Sequence, residues 1–298
     1  MLRNSSDDVI YRRVDPISLI RRNVRSDLYL QACHLGACTA VLKTTYSTTT
    51  FHSKQPTTAL VMADTSPFRV LVFSKTSGYR HESIAAGIRS IEALANRTKF
   101  FTVDSSEDAS LFTASSLSQY SVIVLLQCIG DIFDQTQLDA LKHFVRAGGG
   151  VVAVHGAAAG MPNDEWYGKL VGAHFDMHPP AEPGTVLIED SNKDHFILDC
   201  CNGRQDWKDE WYNFHSHPRE NRELQILLRG DPKTFEGGKM GDDHPLAWYQ
   251  EFEGGRSFFT ALGHFDEAYE DEWYMNQILR GILWAAKKED INKHVPNV

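Results

Sequence analysis

From Arg69 onward, short unbroken apolar runs alternate with stretches whose apolar residues recur every three or four positions. Unbroken short runs predict strands covered on both faces, and the 3.6-residue period predicts helices. Val70 to Phe73 is the first such run, and a polar loop from Ser74 to His81 follows it. A helix is expected from about Glu82 to Ala95, with Ile84, Ile88, Ile91 and Leu94 on one stripe. Phe100 to Val103 and Val122 to Leu126 read as the second and third strands. Asp134, with Gln137 three residues on, has the form of a capping box, and the helix it starts packs through Leu138, Leu141 and Val145. Gly148 to Gly150 stops that helix, because glycine takes the left-handed conformation at no steric cost. Val151, Val152 and Val154 form a fourth strand, which lifts His155 to its end before the small-residue turn Gly156 to Gly160. Strands alternating with helices imply an α/β fold with a parallel, doubly wound sheet and right-handed crossovers.

After Gly160 the texture changes. Asn163 is expected to cap a short helix carrying Trp166, Tyr167 and Leu170, ahead of a long stretch rich in His, Trp, Asp and Pro. Strands are expected at Thr185 to Ile188 and Leu224 to Leu228, and a hairpin joins Leu246–Phe252 to Arg256–Leu262 through Glu253-Gly254-Gly255. A last helix, about Asp271 to Lys287, buries Met275, Ile278, Leu279 and Ile282. No linker or internal repeat interrupts this half, so one domain is expected over residues 67–288, with a short tail at 289–298.

Residues 1–66 differ from the rest. Up to Met62 there are eight basic residues, four aspartates and no glutamate, a local charge of +4 in a chain of net −9. An Arg- and Ser-rich, acid-poor leader fits a mitochondrial targeting segment. Asp7, Asp8, Asp15 and Asp27 count against that, and a disordered extension, with Met62 as an alternative start, is the favoured reading. The acidic remainder argues against a nucleic-acid partner, which calls for a clustered basic surface. No apolar run is long enough to span a bilayer. Five cysteines, an odd number with no zinc-ribbon or redox spacing, point to a reducing, cytoplasmic location.

Thirteen histidines are many for 298 residues, and eight fall between His155 and His264. His155 is the leading candidate, because a strand end before a glycine-rich turn is an elbow that presents a side chain at the sheet's carboxyl edge. An imidazole there suits acid–base work or metal ligation; the plainer alternative is a buried His bonded to a main-chain carbonyl. Lys75, Arg80 and His81 lie just beyond the first strand on the same edge, as substrate-orienting groups or as solvated loop residues. Asp206 to Tyr212 sets Asp209 and Glu210 among Trp207, Trp211 and Tyr212. Aromatic faces and carboxylates together suit a polyhydroxylated ligand, and an aromatic core segment with exposed acids explains the same pattern. His264 repeats the strand-end logic of His155. His174 with His178, and His215 with His217, have ligand-like spacings, although a proline after each pair favours irregular loops. Cys128 reads as a small buried apolar residue.

Several segments in order resemble the ThuA-like family, named for trehalose utilisation, within the class I glutamine amidotransferase-like superfamily. They are Val70–His81, Gly148–His155, Trp166–His174, Asp209–Phe214, His244–Trp248, Gly254–Ser257 and Gly263-His264. The resemblance implies a flavodoxin-like three-layer sandwich with a mostly parallel sheet. It implies that the amidotransferase cysteine is replaced, so glutaminase activity is not expected. It also links the chain with catabolism of disaccharides and their oxidised derivatives. Bacterial relatives often carry an acidic residue shortly after the elbow His, whereas Ala159 and Gly160 follow it here.

The resulting expectation is an intracellular enzyme, a hydrolase or lyase acting on a sugar or oxidised sugar, with His155, Glu210 and His264 as the acid–base or ligand set. Lys75, Arg80, His81, Asp209 and Trp211 would bind substrate, and a homo-oligomer is compatible with this reading. No cofactor is named by the residues, and a divalent metal such as zinc is the candidate. The alternative is a non-catalytic sugar-binding or regulatory module on the same fold.

Overall fold

The computed structural model describes residues 66–199 and 201–294. The expected N-terminal extension, apart from Ser66, lies outside the described residues. In chain order the elements are β1 (Phe68–Phe73), α1 (Ile84–Thr98), β2 (Phe101–Ser106), α2 (Ala114–Leu117), β3 (Val122–Leu126), α3 (Gln135–Arg146), β4 (Gly150–Val154), α4 (Glu165–Val171), β5 (Phe175–Met177), β6 (Glu182–Ile188), β7 (Arg204–Asp209), β8 (Asn213–Phe214), β9 (Gln225–Gly230), β10 (His244–Phe252), β11 (Gly255–Thr260) and α5 (Glu272–Ala285).

Nine strands form one sheet in the order β2-β1-β3-β4-β11-β10-β9-β6-β7. The first five are mutually parallel. From β11 outward the neighbours are antiparallel. The parallel half is what the uniformly apolar runs predict: every residue of β3 and β4 is buried, as a sheet covered on both faces requires. Each fully buried Val, Leu or Ile there contributes on the order of 2 kcal/mol through removal of apolar surface from water. Right-handed crossovers in opposite directions put α1 and α3 on opposite faces, and α5 lies alongside α1 against β4 and β11.

Local chemistry explains the element ends. Asp134 and Gln137 close a reciprocal capping box, Gln137 N donating to Asp134 Oδ1 and Asp134 N to Gln137 Oε1, both at 2.9 Å. Asp271 caps α5 by accepting from Trp273 N and Tyr274 N. Glu253 (φ 47°) and Gly254 (φ 98°) are the two left-handed residues of the tight turn that sends β10 into β11. Asp164, not Asn163, caps α4, since its carboxylate accepts from Tyr167 N at 2.8 Å. Helix α1 begins at Ile84, two residues later than the periodicity predicts, and α5 stops at Ala285. Residues 289–294, expected as a tail, take a 3-10 turn, and Glu289 pairs with Arg256. Strand β7 (Arg-Gln-Asp-Trp-Lys-Asp) escaped the pattern because it is polar and its Asp206 sits at φ 55°. No helix among the described residues is long and apolar enough to cross a membrane.

The parallel half positions the chemistry. Thr260 pairs with Val154, which pairs with Leu126, so β3, β4 and β11 end level with one another. Gln127, His155 and Ala261 therefore leave the sheet at one carboxyl edge, where ligands sit in open α/β sheets.

Candidate active site

His155 is fully buried and stands at φ 48°, a left-handed conformation that costs a non-glycine residue energy and persists only where the surroundings over-determine it. What determines it here is partly the ring itself, whose Nδ1 donates to Ala261 O at 2.5 Å. Its Nε2 lies 3.2 Å from Glu210 Oε2. His264, four residues beyond the end of β11, brings Nδ1 to 3.2 Å from the same oxygen, at ion-pair distance without hydrogen-bond alignment. His178 comes from the far side, its Nε2 3.3 Å from Glu210 Oε1 while its Nδ1 donates to Pro179 O at 2.8 Å. The ring of His81 packs edge-on against His155 and His264, with centroids at 4.9 and 5.2 Å, and its Nδ1 is buried with no hydrogen-bond partner.

One carboxylate thus faces four imidazoles. Burial works to raise the Glu210 carboxyl, but the imidazoles of His155 and His264 outweigh it and hold the group well below the usual carboxylate range. Burial also pushes His81 down, to about 3, with the neighbouring imidazoles acting in the same direction, so its ring is neutral at physiological pH. For His264 burial acts downward too, but the Glu210 carboxylate prevails and the ring is raised above its ordinary value. Among the described residues, donor atoms of His81, His155, Glu210 and His264 lie within 4.8 Å of one another, a set able to hold a metal ion.

A second layer fixes this arrangement. Asp209 is fully buried, and its carboxylate accepts from Glu210 N (2.9 Å), Gly263 N (2.8 Å), His264 N (3.3 Å) and the Trp207 indole (3.0 Å). Gln127, also fully buried and at φ 55°, accepts from Gly156 N at 3.1 Å and donates to Gly263 O at 2.7 Å. These two side chains bind the turns after β3, β4, β7 and β11 into one unit.

The cluster forms a wall of a cavity of about 420 Å³ lined by Tyr79, His81, Ile129, Ala159, Phe175, His178, Glu210 and Tyr212. Tyr79 stands at its rim, 63% exposed, with its ring edge-on to His81 at 4.9 Å. The Tyr212 ring lies 4.2 Å from that of His155.

The sequence candidates divide clearly. His155, Glu210 and His264 meet, and His81 joins them inside the cluster. Arg80 turns outward and makes a two-armed pair with Glu107, at 2.6 and 3.0 Å. Lys75 remains half-buried in the β1–α1 loop, away from the cavity lining. Trp211 is a core residue, stacked on Phe235 at 4.3 Å and donating its indole N–H to Glu182 O. Asp209 supports the site from behind. His174 is bonded to Asp164 O and His217 to Asp243 O, while His215 pairs with Asp176, so neither spaced pair chelates jointly. The Cys128 thiol is fully buried against Phe73 O, and burial pushes its ionisation far up. Sequence reasoning missed Gln127 and gave His178 only as half of a pair with His174. The one signal for Gln127 was a polar residue at the end of an otherwise apolar strand.

The likeness to solved structures follows the fold. A ThuA-like protein from Bacteroides uniformis aligns with a TM-score of 0.62 and 22% identity, over 75% of this chain and 93% of its own. A ThuA-like protein from Parabacteroides merdae gives 0.62 and 19%, over 77% and 93%. A cytoplasmic protein of Salmonella typhimurium gives 0.51 and 12%, over 72% and 98%. A search of curated proteins finds no match. The family model described as ThuA, trehalose utilisation, matches residues 69–285, which contain every member of the histidine–glutamate cluster, and the chain belongs to that family.

Proposed function

We propose that the protein is an intracellular enzyme of carbohydrate catabolism that acts on a disaccharide or an oxidised sugar. The observation that carries this is the gathering of His81, His155, His264 and His178 around Glu210 at the wall of a sugar-sized cavity with an exposed aromatic ring at its rim. Tyr79 offers a face for sugar C–H groups, and the imidazoles and carboxylate offer partners for hydroxyls. His178 is the cluster member that a ligand reaches. With Nδ1–H committed to Pro179 O, Nε2 is the ring nitrogen left for a substrate hydroxyl. That nitrogen takes a proton from a substrate hydroxyl, and Glu210 Oε1, 3.3 Å away, stabilises the imidazolium that results. His155 and His264 keep Glu210 ionised for this role.

The test is to incubate the full chain with disaccharides and 3-keto-disaccharides, beside His178→Ala and His155→Ala variants, and follow consumption by mass spectrometry. Turnover by the parent chain with a loss of about 100-fold or more in each variant is expected. Equal turnover by all three ends the catalytic assignment. Saturable sugar binding with no turnover would make the protein a binding module instead.

A further inference from the structure

We propose that the cluster is a divalent-metal centre, with His81, His155 and His264 as nitrogen ligands and Glu210 as the oxygen ligand. This rests on the reading of the cluster as the working centre but not on the identity of the sugar.

The partner of each ring nitrogen fixes what the other nitrogen can do. Ala261 O can only accept, so His155 Nδ1 carries a hydrogen, and Nε2 is a bare lone pair unless a second proton sits there. That lone pair faces Glu210 Oε2, itself an acceptor, at 3.2 Å. Two acceptors at this distance repel unless a proton or a cation lies between them. His264 Nδ1 stands 3.2 Å from the same oxygen yet is not aimed at it, and His81 Nδ1 has no partner at all although its residue is 4% exposed. A buried polar atom without a partner is costly and calls for a ligand. A single proton satisfies one contact; a cation at the common point satisfies all of them.

The donor set and its support agree. Imidazole nitrogens with one carboxylate suit zinc and its first-row neighbours, bound at about 2.0–2.2 Å. Tetrahedral donors at that radius lie about 3.4 Å apart. The two 3.2 Å separations here match, and all the donors lie within 4.8 Å of one another, a spread that side-chain rotation closes or that leaves room for a further ligand. A metal-binding His typically donates its other ring N–H to a carbonyl or carboxylate, as His155 does to Ala261 O. The main-chain nitrogens of Glu210 and His264 are held by the buried Asp209 carboxylate, so the residues bearing two of the donors are fixed before an ion arrives.

The experiment uses the full chain, freed of any affinity tag, stripped with a chelator and titrated calorimetrically with zinc chloride. Cobalt(II) is added separately and its visible absorption recorded. One equivalent of zinc is expected, with Glu210→Gln and His81→Ala each weakening it at least 10-fold, and cobalt giving the intense bands of a four- or five-coordinate site. His264→Gln serves as a further ligand variant if either of these fails to fold by near-ultraviolet circular dichroism. Absence of stoichiometric binding overturns the proposal, as does binding that persists unchanged in the folded variants, which would place the ion on surface histidines. Zinc binding without turnover of any sugar keeps the metal centre and removes the carbohydrate-enzyme reading. Sugar turnover by metal-free protein that binds no zinc does the reverse.

Discussion

The carboxylate of Asp209 accepts from Gly263 N at 2.8 Å, joining the turn after β7 to the turn after β11. Glu210, the next residue, points its carboxylate the other way, into the imidazole cluster. Two adjacent acids therefore do separate work, one holding main chain and one meeting side chains. Asp209→Asn keeps the shape but puts an amide donor where only donors converge. A loss of about 3 kcal/mol in unfolding free energy is expected, because buried N–H groups lose their acceptor. Urea unfolding checks it, and a variant within about 0.5 kcal/mol of the parent contradicts the assigned role.

Gly263 has φ +112°, and a Cβ there would meet Tyr274 Oη at 2.2 Å. That hydroxyl donates to Leu262 O at 2.9 Å, so it cannot withdraw without breaking the bond. Gly263→Ala is expected to cost about 2 kcal/mol or more, from the left-handed backbone together with the clash. It is also expected to displace His264, lowering metal affinity and turnover in step. A Gly263→Ala protein that melts with the parent and binds zinc equally well would refute this.

Arg80 gives the opposite expectation. Its pair with Glu107 is half exposed on both sides, where ion pairs are worth little. Arg80→Ala is expected to change stability by less than about 0.5 kcal/mol and to leave substrate affinity unaltered. A clear rise in KM would return this residue to the binding site.

Stability should fall on mild acidification through histidines outside the cluster. Burial lowers His244, which is wholly inaccessible, to about 4, and lowers His195, stacked on Tyr249, to about 4 as well. Both folded values lie below the unfolded value of about 6.5, so this stability is fully present above pH 6.5 and is lost as pH falls toward 4. His244 alone should cost about 2 kcal/mol between pH 7.5 and pH 5. Urea unfolding at those two pH values measures the loss, and His244→Gln should flatten the dependence. A parent chain equally stable at both pH values would be inconsistent with it.

The architecture was readable wherever local physics decides. Val122–Leu126 could only be a strand covered on both faces, Asp134 with Gln137 could hardly be other than a helix start, and Glu253-Gly254 was a turn from its composition alone. His155 and His264 were visible as strand-end imidazoles because β4 and β11 are apolar runs with sharp ends. The antiparallel half was less legible: β7 is polar, and nothing local says that it pairs with β6. The site was legible in its donors but not in their division of labour. Asp209 and Trp211 share a segment with Glu210 and looked equally suited to a ligand, yet which way each side chain points depends on β6 and on the turn at Gly263. Gln127 and His178 act through partners some thirty or more residues away, a relation that no sequence window contains.

The four donors are drawn from positions 81, 155, 210 and 264, so they are spread along most of the folded chain. A polypeptide still emerging from the ribosome holds at most part of this donor set, since the carboxylate and the last imidazole arrive long after the first. Loading of an ion must therefore wait until residue 264 has been made, and a product truncated before it also lacks α5, which packs against β4 and β11.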